Sequence, residues 1–314
     1  MNTFKLAASV AAGVLVSGVM FAAPASARDL PKKIEKIGLM VQDMSNPFFS
    51  AMDKGAQDAA KKIGATLNTQ DAQLDLSTQY NQIDAFIQQG VNVIVVSAVD
   101  GDGIEPALEK AKAAGIIVIA VDTPAKGADA VVMTDAVQAG EKSCTYLFKE
   151  MGGKGEVLLV DGTPIQTIID RIDGCKTVAK DFPDIKIVGQ QASKNDRASG
   201  LAVTTDMLTA HPDVTGIFGM NDPSALGATL AVEQAGKSSQ IKVTGVDGSP
   251  EAVAELKRDG SPFIGTATQN PAEMVRKGIE IAQEIVAGNP PKETTIKIPS
   301  ELVTRDNVTD YKGW

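Results

Sequence analysis

The sequence has little of the residues that perform most hydrolytic and metal chemistry. Its 314 residues include one histidine, two cysteines and one tryptophan, and aromatic residues make up 4%. A serine or cysteine nucleophile usually needs a histidine beside it as a base. The histidine, His211, lies in the turn sequence TAHPDV, with no cluster of Cys, Asp or Glu at metal-ligand spacing. The composition therefore argues against a hydrolytic triad and a metal site, and we predict no cofactor.

Positive charge is also in deficit. The chain has 30 Lys and Arg against 39 Asp and Glu, which gives a net charge of −9. Because nucleic acid phosphates reward clustered basic residues, we predict no nucleic acid partner. The acidic residues are scattered along the chain, and solubility is enough to account for them.

Long apolar runs are absent after the first residues. The chain opens with MNTFKLAASVAAGVLVSGVMFAAPASA, which has Lys5, an apolar run, and small residues at Ala25 and Ala27. This pattern predicts a secretory signal peptide, residues 1–27, cleaved after Ala27. The alternative is a membrane anchor, because the run from Leu6 to Ala23 approaches the roughly 18 residues of a spanning helix. Gly and Ser dilute its hydrophobicity, so we expect export.

Two cysteines in an exported protein favour one disulfide. Cys144 and Cys175 both fall within predicted helices and are the candidate pair. A buried reduced pair remains the alternative, because spacing in the sequence does not establish pairing.

Short Val/Ile-rich runs alternate with amphipathic stretches from Lys36 onward. The predicted strands are Lys36–Gln42, Ala65–Thr69, Val91–Val99, Ile116–Asp122, Val131–Thr134, Gly155–Asp161, Ile185–Gln190, Val214–Met220, Ile241–Asp247 and Phe263–Gln269. The predicted helices are Phe48–Ile63, Leu76–Gln89, Ile104–Ala114, Gln138–Met151, Thr167–Phe182, Ala198–Ala210, Pro223–Ala235, Pro250–Arg258 and Pro271–Ala287. Apolar strands joined by helices are typical of parallel sheets that are covered on both faces. The fold class is therefore α/β, doubly wound.

The same order of strands and helices occurs twice, from Lys36 to Asp122 and from Gly155 to Asp247. The roughly 290 residues after the signal peptide suit two domains better than one. We predict a first lobe of residues 34–135 plus 270–298 and a second lobe of residues 136–269 plus 299–314. The predicted hinge has three chain crossings, near Asp135–Ala136, Gln269–Asn270 and Ile298–Pro299.

Polar residues stand where the predicted strands end. Parallel α/β sheets bind ligands at the carboxyl ends of their strands, so we expect these side chains to line one cleft. Carboxylates accept hydrogen bonds, guanidinium donates them and amides do both, a set that matches sugar hydroxyls. The residues at this edge are Asn46, Asp122, Arg171, Asn221, Asp247 and Gln269. Gln42, Thr123 and Gln166 stand beside them and are further candidates.

The stretch DMSNPFFSAM places Phe48 and Phe49 side by side at a helix start. Neighbouring helical side chains point about 100° apart, so the two rings cannot both face one core. We expect at least one ring to face the cleft, where it would cover the C–H face of a sugar. The alternative is a hydrophobic staple, with one ring buried and the other partly covered.

Several blocks of the sequence resemble, in order, the ribose-type periplasmic sugar-binding proteins of ABC importers (cluster B, type I). The blocks are SNPFFSAMDKGAQDAAKKIGA, VDT, RIDG, LTAHPDVTGIFGMNDPSALGA, TGVDGSPE and TATQNP. The resemblance covers essentially the whole mature chain. It implies two hinged lobes, a periplasmic location, a monomer, and an ABC permease in the inner membrane as partner. It also implies ligand contacts at Asn46, Phe48, Phe49, Asp122, Arg171, Asn221, Asp247 and Gln269.

The chain departs from the ribose-type pattern at two places. Thr123 and Pro124 stand where that pattern has an arginine after the aspartate, and Asn195 stands where it has an aromatic residue. The Asn195 amide suits a ligand that has a hydrogen-bonding group at the position where ribose presents the face of its ring. The differences argue against ribose and favour an acyclic sugar alcohol or a differently configured sugar.

The resulting hypothesis is an exported receptor, not an enzyme, whose lobes close around one sugar or polyol and deliver it to a permease. Two alternatives remain. A secreted carbohydrate-active enzyme would use Asp122 and Asp247 as paired carboxylates, if the cleft holds them at the required separation. A chemotaxis receptor would bind a furanone-like signal in the same cleft.

Overall fold

The computed structural model describes residues 28–311 and 313–314, so the predicted signal peptide lies outside the described residues. The strands are β1 Lys36–Val41, β2 Thr66–Asp71, β3 Val93–Val96, β4 Ile117–Val121, β5 Ala130–Thr134, β6 Lys154–Asp161, β7 Asp184–Ala192, β8 Val214–Gly219, β9 Lys242–Asp247, β10 Phe263–Thr268, β11 Thr295–Ile298 and β12 Leu302–Thr304. The helices are α1 Pro47–Ile63, α2 Leu76–Gln89, α3 Glu105–Ala113, α4 Ala136–Glu150, α5 Gln166–Ala179, α6 Arg197–Ala210, α7 Asp222–Gln234, α8 Pro250–Leu256 and α9 Pro271–Val286.

The strands form two sheets of six with matching order. The first sheet runs β11-β5-β4-β3-β1-β2 and the second runs β12-β10-β9-β8-β6-β7. Pairing is parallel throughout, except that β12 is antiparallel to β10. Two such sheets confirm the predicted α/β class. Sequence reasoning missed β11 and β12, which are short strands of four and three residues at the sheet edges.

Each sheet is covered on both faces by its own helices. The first sheet packs against α1 and α9 on one face and against α2 and α3 on the other. The second sheet packs against α6, α7 and α8 on one face and α4 and α5 on the other. Central strands such as β3 and β4 are buried along their whole length, which is why their sequences are continuous runs of Val and Ile. We call the first sheet with its helices the first lobe and the second sheet with its helices the second lobe.

The chain passes between the lobes three times. It leaves the first sheet after β5, returns from β10 through α9 to β11, and crosses again to β12. We propose that the hinge lies at these crossings. No helix of residues 28–311 and 313–314 is long and apolar enough to cross a bilayer.

Helices begin at the carboxyl ends of strands, where short polar side chains cap them. Asp135 caps α4 by accepting a hydrogen bond from the Gln138 main-chain N–H at 3.3 Å. This helix therefore starts at Ala136, two residues before its predicted start. Asn46 caps α1 and Asn221 caps α7 in the same way, which holds both residues at the edge that faces the other lobe.

Helices α4 and α5 pack unusually closely in the second lobe. A Cβ atom on Gly140 would lie 2.0 Å from the main-chain oxygen of Arg171, and one on Gly174 would lie 2.3 Å from that of Val137. Cys144 of α4 and Cys175 of α5 form a disulfide, with their Cα atoms 5.2 Å apart. Both features hold α5, and with it Arg171, in a defined position against α4.

Candidate functional site

A cavity of about 510 Å³ lies between the two lobes, where the carboxyl ends of the two sheets face each other. The structure brings to it all nine of the main residues predicted from the sequence. These are Asn46, Phe48, Phe49, Asp122, Arg171, Asn195, Asn221, Asp247 and Gln269. Gln42 lines the same cavity. Cavities of this size suit small molecules.

The second lobe contributes a buried group of opposite charges. Asp247 ends β9, and its Oδ1 accepts a hydrogen bond from Gln269 Nε2 at 2.8 Å and lies 3.5 Å from Arg171 Nη1. Arg171 Nη1 also donates to the main-chain oxygen of Met220 at 2.9 Å. The Arg171 Nε is buried and has no partner among the described residues. Since a buried donor without a partner is costly, a ligand oxygen that reached this Nε would stabilise it.

Arg171 therefore pairs with Asp247 inside the second lobe and not with Asp170 or Asp173 of its own helix. Arg171 is 5% exposed and Asp247 is 4% exposed. An ion pair this far from water is screened little by solvent, so its electrostatic effects are much larger than those of a surface pair.

Asp222 contacts Asp247 and helps to hold its carboxylate in place. Its main-chain N–H donates to Asp247 Oδ2 at 3.2 Å. Its own carboxylate accepts hydrogen bonds from Thr266 Oγ1 at 2.7 Å and the Ser249 main-chain N–H at 2.8 Å. Burial raises the pKa of Asp222 well above its usual value, and the charge of Asp247 raises it further. Burial also raises the pKa of Asp247, against the opposing effect of Arg171.

The first lobe contributes Asp122, at the end of β4. Its Oδ2 accepts weak hydrogen bonds from Ser97 Oγ and Thr123 Oγ1, both at 3.4 Å, while Oδ1 accepts none from the described residues. Gln42 Nε2 supports this arrangement by donating to both hydroxyl oxygens, at 3.1 and 3.0 Å. Asp122 is 7% exposed, so its free oxygen is an acceptor that a ligand hydroxyl can reach only inside the cavity.

Both strand-end aspartates have backbone angles that non-glycine residues seldom adopt. The φ angle is 66° at Asp122 and 143° at Asp247. Such conformations cost free energy and cluster at functional sites, where the surrounding structure maintains them. The strain is a second reason, independent of burial, to regard these two carboxylates as functional.

Burial raises the pKa of Asp122 to about 6, and Asp247 across the cavity raises it while Arg171 lowers it. A carboxyl group whose pKa is higher in the folded state than in the unfolded state stabilises the fold. This stabilisation is complete below the unfolded-state pKa of 3.8 and is lost as the pH rises through about 6. Asp122→Asn cannot ionise. We therefore expect the free energy of unfolding of the ligand-free wild type to fall, relative to this variant, by about 2 kcal/mol between pH 4.5 and 7.5.

Denaturant unfolding at the two pH values measures this difference. Asp259→Asn, at an exposed position, is the control for the substitution itself. If the difference between wild type and Asp122→Asn were the same at both pH values, Asp122 would not have the shifted pKa that its buried position implies.

Phe48 and Phe49 meet edge to face, with ring centroids 5.2 Å apart. The prediction that the two rings cannot both face one core was wrong, because Phe48 is 4% and Phe49 is 6% exposed and both belong to the core of the first lobe. Both rings line the cavity and also pack into the core of the first lobe. They supply an apolar surface on the first-lobe side of the cavity.

The side chains of Asn221 and Asn195 use some of their hydrogen-bonding groups within the protein. Asn221 Oδ1 accepts from the Ser224 main-chain N–H at 2.9 Å, and its Nδ2 donates to the main-chain oxygen of Asn195 at 3.0 Å. Asn195 has a left-handed φ of 66°, and its side chain bonds the main chain and the hydroxyl of Thr163 at 2.9 and 2.7 Å. Asn195 therefore fixes the loop before α5 as well as lining the cavity.

Two of the additional candidates, Thr123 and Gln166, lie outside the cavity and line a neighbouring groove of about 700 Å³. Gln166 is the first residue of α5, and its side chain donates to Asp170 at 2.7 Å. Arg171 lies five positions after Gln166 on α5, which places the two side chains about 140° apart around the helix axis, so both cannot face the cavity. Thr123 acts through its hydrogen bonds to Asp122 and Gln42.

Sequence reasoning missed several residues of the cavity wall. Ile168 stands three residues before Arg171 on α5, a spacing that puts both on one helix face and could have identified it. Met220 follows β8 directly, beside the predicted Asn221. The other missed wall residues include Leu74, Thr167, Lys194, Arg197 and Glu251. In the part of the chain that the structure describes, no three His, Cys, Asp or Glu residues are grouped so as to hold a metal ion.

A cavity between two α/β lobes, with charged groups contributed by each lobe, is typical of a two-lobed protein that binds small molecules. The family model described as "Periplasmic binding protein domain" matches residues 37–290. The chain therefore belongs to the periplasmic binding protein family.

Two named proteins and one crystal structure are similar to this chain over most of its length. The ribose import binding protein RbsB of Bacillus subtilis is 32% identical over 277 residues, which are 87% of this chain and 88% of that protein. A xylitol-binding protein of Mycolicibacterium smegmatis is 30% identical over 311 residues, covering 98% of this chain and 87% of that protein. A crystal structure of an ABC transporter solute-binding protein from Actinobacillus succinogenes with bound D-allose has a TM-score of 0.84 and 29% identity. It covers 88% of this chain and all of that one (100%).

Proposed function

We propose that this protein binds one monosaccharide or sugar alcohol in the cavity between its lobes and delivers it to an ABC permease. One observation carries the proposal. Buried acceptors and donors from both lobes, Asp122, Asp247 and Arg171, line one cavity between the lobes, with two phenylalanine rings in its wall.

The chemistry of the cavity favours a ligand with several hydroxyl groups. Asp122 Oδ1 is free to accept, and Arg171 Nε is free to donate. A hydroxyl can satisfy both kinds of group because it is donor and acceptor at once. Phe48 and Phe49 would lie against the C–H face of the ligand. The named relatives, which bind ribose, xylitol and D-allose according to their descriptions, support this ligand class.

The two departures from the ribose-type pattern bear on ligand choice. Thr123 bonds Asp122 and brings no guanidinium to the cavity, and the Asn195 side chain bonds Thr163. The wall near Asn195 therefore has no aromatic ring, and the Asn195 amide keeps one N–H and one acceptor position for a ligand. We propose a ligand other than ribose, either an acyclic polyol or a sugar of different configuration.

Binding would proceed by closure of the lobes about the hinge. A ligand that bonds Asp122 in one lobe and Arg171 and Asp247 in the other stabilises the closed state relative to the open one. We further propose that the protein acts as a periplasmic monomer after removal of residues 1–27, and that the permease recognises the closed form.

Calorimetric titration with ribose, allose, xylitol, glycerol and myo-inositol tests the proposal. We expect saturable, stoichiometric heat with at least one sugar or polyol, with ribose not the tightest. Mass spectrometry of small molecules released on denaturation would identify a ligand retained through purification. Folded protein that binds none of these compounds and releases no polyhydroxylated molecule would overturn the proposal, and turnover of a glycoside would favour an enzyme instead.

A further inference from the structure

The last described residues form a segment that contacts both lobes. We call residues 305–311 and 313–314 the tail segment. Its first part belongs to the second lobe, where Val308 is buried in the core beside β12. The Tyr311 hydroxyl donates to the main-chain oxygen of Gly248 at 3.0 Å, and Gly313 lies against Pro250. The tail segment is thus fixed along the loop between β9 and α8, directly after Asp247.

Trp314 extends from this anchored segment to the first lobe. Its ring packs edge to face on Phe48, with centroids 5.7 Å apart and planes at 88°, and it joins the core of the first lobe. Its indole Nε1 donates to the main-chain oxygen of Asp247 at 2.8 Å. The Trp314 side chain therefore contacts Phe48, which lines the cavity in the first lobe, and the main chain of Asp247 in the second lobe.

The hydrogen bond also connects Trp314 to the hinge. The main-chain oxygen of Asp247 accepts a second hydrogen bond, from the main-chain N–H of Gln269, at 2.8 Å. Gln269 follows β10 at one of the three chain crossings and bonds the Asp247 carboxylate through its side chain. Trp314, Asp247 and Gln269 thus form one connected group, with Phe48 as its contact in the opposite lobe.

We propose that Trp314 is a positioning residue that favours the closed arrangement of the lobes and holds Phe48 and Asp247 in place for the ligand. The inference rests on the proposed function, because it assumes that ligand binding accompanies closure. The contact between Trp314 and Phe48 joins the two lobes, so it exists only when they are close together. A contact made only in the closed state raises the closed population and lowers the dissociation constant by the same factor.

Three variants test the ring contact with Phe48 and the hydrogen bond to the Asp247 main chain separately. They are Trp314→Ala, Trp314→Phe and Tyr311→Phe. Trp314→Ala loses both contacts and should weaken binding of the tightest compound of the titration panel by about 30-fold. Trp314→Phe keeps a ring against Phe48 and loses the N–H, so the loss should be about threefold. Tyr311→Phe removes one anchor of the tail segment and leaves both contacts of Trp314 in place, so its affinity should lie between those of wild type and Trp314→Ala.

Two measurements report closure itself. Trp314 is the single tryptophan of the sequence, so intrinsic fluorescence observes it alone. Ligand should reduce quenching of wild-type fluorescence by acrylamide, because closure covers the ring. Small-angle X-ray scattering of the ligand-free proteins should give a larger radius of gyration for Trp314→Ala than for wild type or Tyr311→Phe.

The outcomes distinguish this inference from the proposed function. A larger radius of gyration for Trp314→Ala would support the role of Trp314 even if no panel compound bound. The inference would be overturned if Trp314→Ala had the wild-type radius of gyration and an affinity within twofold of wild type, and if ligand did not change the quenching of wild-type fluorescence. The proposed binding function would remain intact. If no compound binds, an unchanged radius alone overturns it.

Discussion

Arg171→Met should lower the affinity for the bound sugar or polyol by about 100-fold to 1,000-fold, which corresponds to roughly 3 to 4 kcal/mol. The substitution removes the guanidinium that lies 3.5 Å from Asp247 and removes the unpartnered Nε donor. It also leaves Asp247 as a buried carboxylate with only neutral partners, Gln269 and the Asp222 main chain. A buried charge that loses its counter-charge is costly, so the bound and closed state should suffer most. Isothermal titration calorimetry measures the change.

Two variants control this experiment. Arg276→Met makes the same chemical change on α9, outside the cavity lining, where Arg276 pairs with Glu273 and Glu280 and its side chain is 43% exposed. Exposed pairs contribute little, so affinity should change by less than about threefold. Arg171→Lys keeps the charge without the planar fork and should lie between wild type and Arg171→Met. Folded Arg171→Met with nearly wild-type affinity would remove Arg171 from the site.

Loss of the disulfide between Cys144 and Cys175 should lower the free energy of unfolding by about 4 kcal/mol. The bond closes a sequence separation of 31 residues, and a reduced unfolded chain gains the entropy that the closed loop denies it. Both cysteines are fully buried between α4 and α5. The loss should therefore fall on the second lobe, whose core is separate from that of the first lobe.

Denaturant unfolding of the wild type with and without dithiothreitol isolates the cross-link, because no side chain is replaced. The double variant Cys144→Ala/Cys175→Ala should be destabilised by a similar amount and should not respond to the reductant. A difference of less than about 1 kcal/mol would mean that close packing between Gly140, Gly174 and their neighbours holds α4 and α5 together without the bond.

Much of the fold could be predicted from local patterns. Runs such as those of β3 and β4 identify buried parallel strands, because a strand covered on both faces is apolar throughout. The weaker predictions concern the edges. Strand β11 carries exposed or half-buried residues and β12 is only three residues long, so their sequences lack a distinct period, and only pairing with β5 and β10 makes them strands.

The site was predictable to the extent that it depends on strand ends. Asp122 and Asp247 lie in the cavity because each ends a strand, and all strand ends of a parallel sheet share one edge. Orientation was harder to predict. Gln166 lies on the same helix as Arg171 but faces a different groove, and Asn195 directs its amide to Thr163.

The sequence by itself determined the doubly wound class, the two copies, and the polar residues at the strand ends, because these depend on periodicity along the chain. Only the tertiary structure decided how the two edges meet. Burial of Phe48 and Phe49, the charge pair of Arg171 with Asp247 and the bridge made by Trp314 all join residues that are distant in sequence. Such contacts leave no local pattern, because they depend on how elements far apart in the sequence pack against one another.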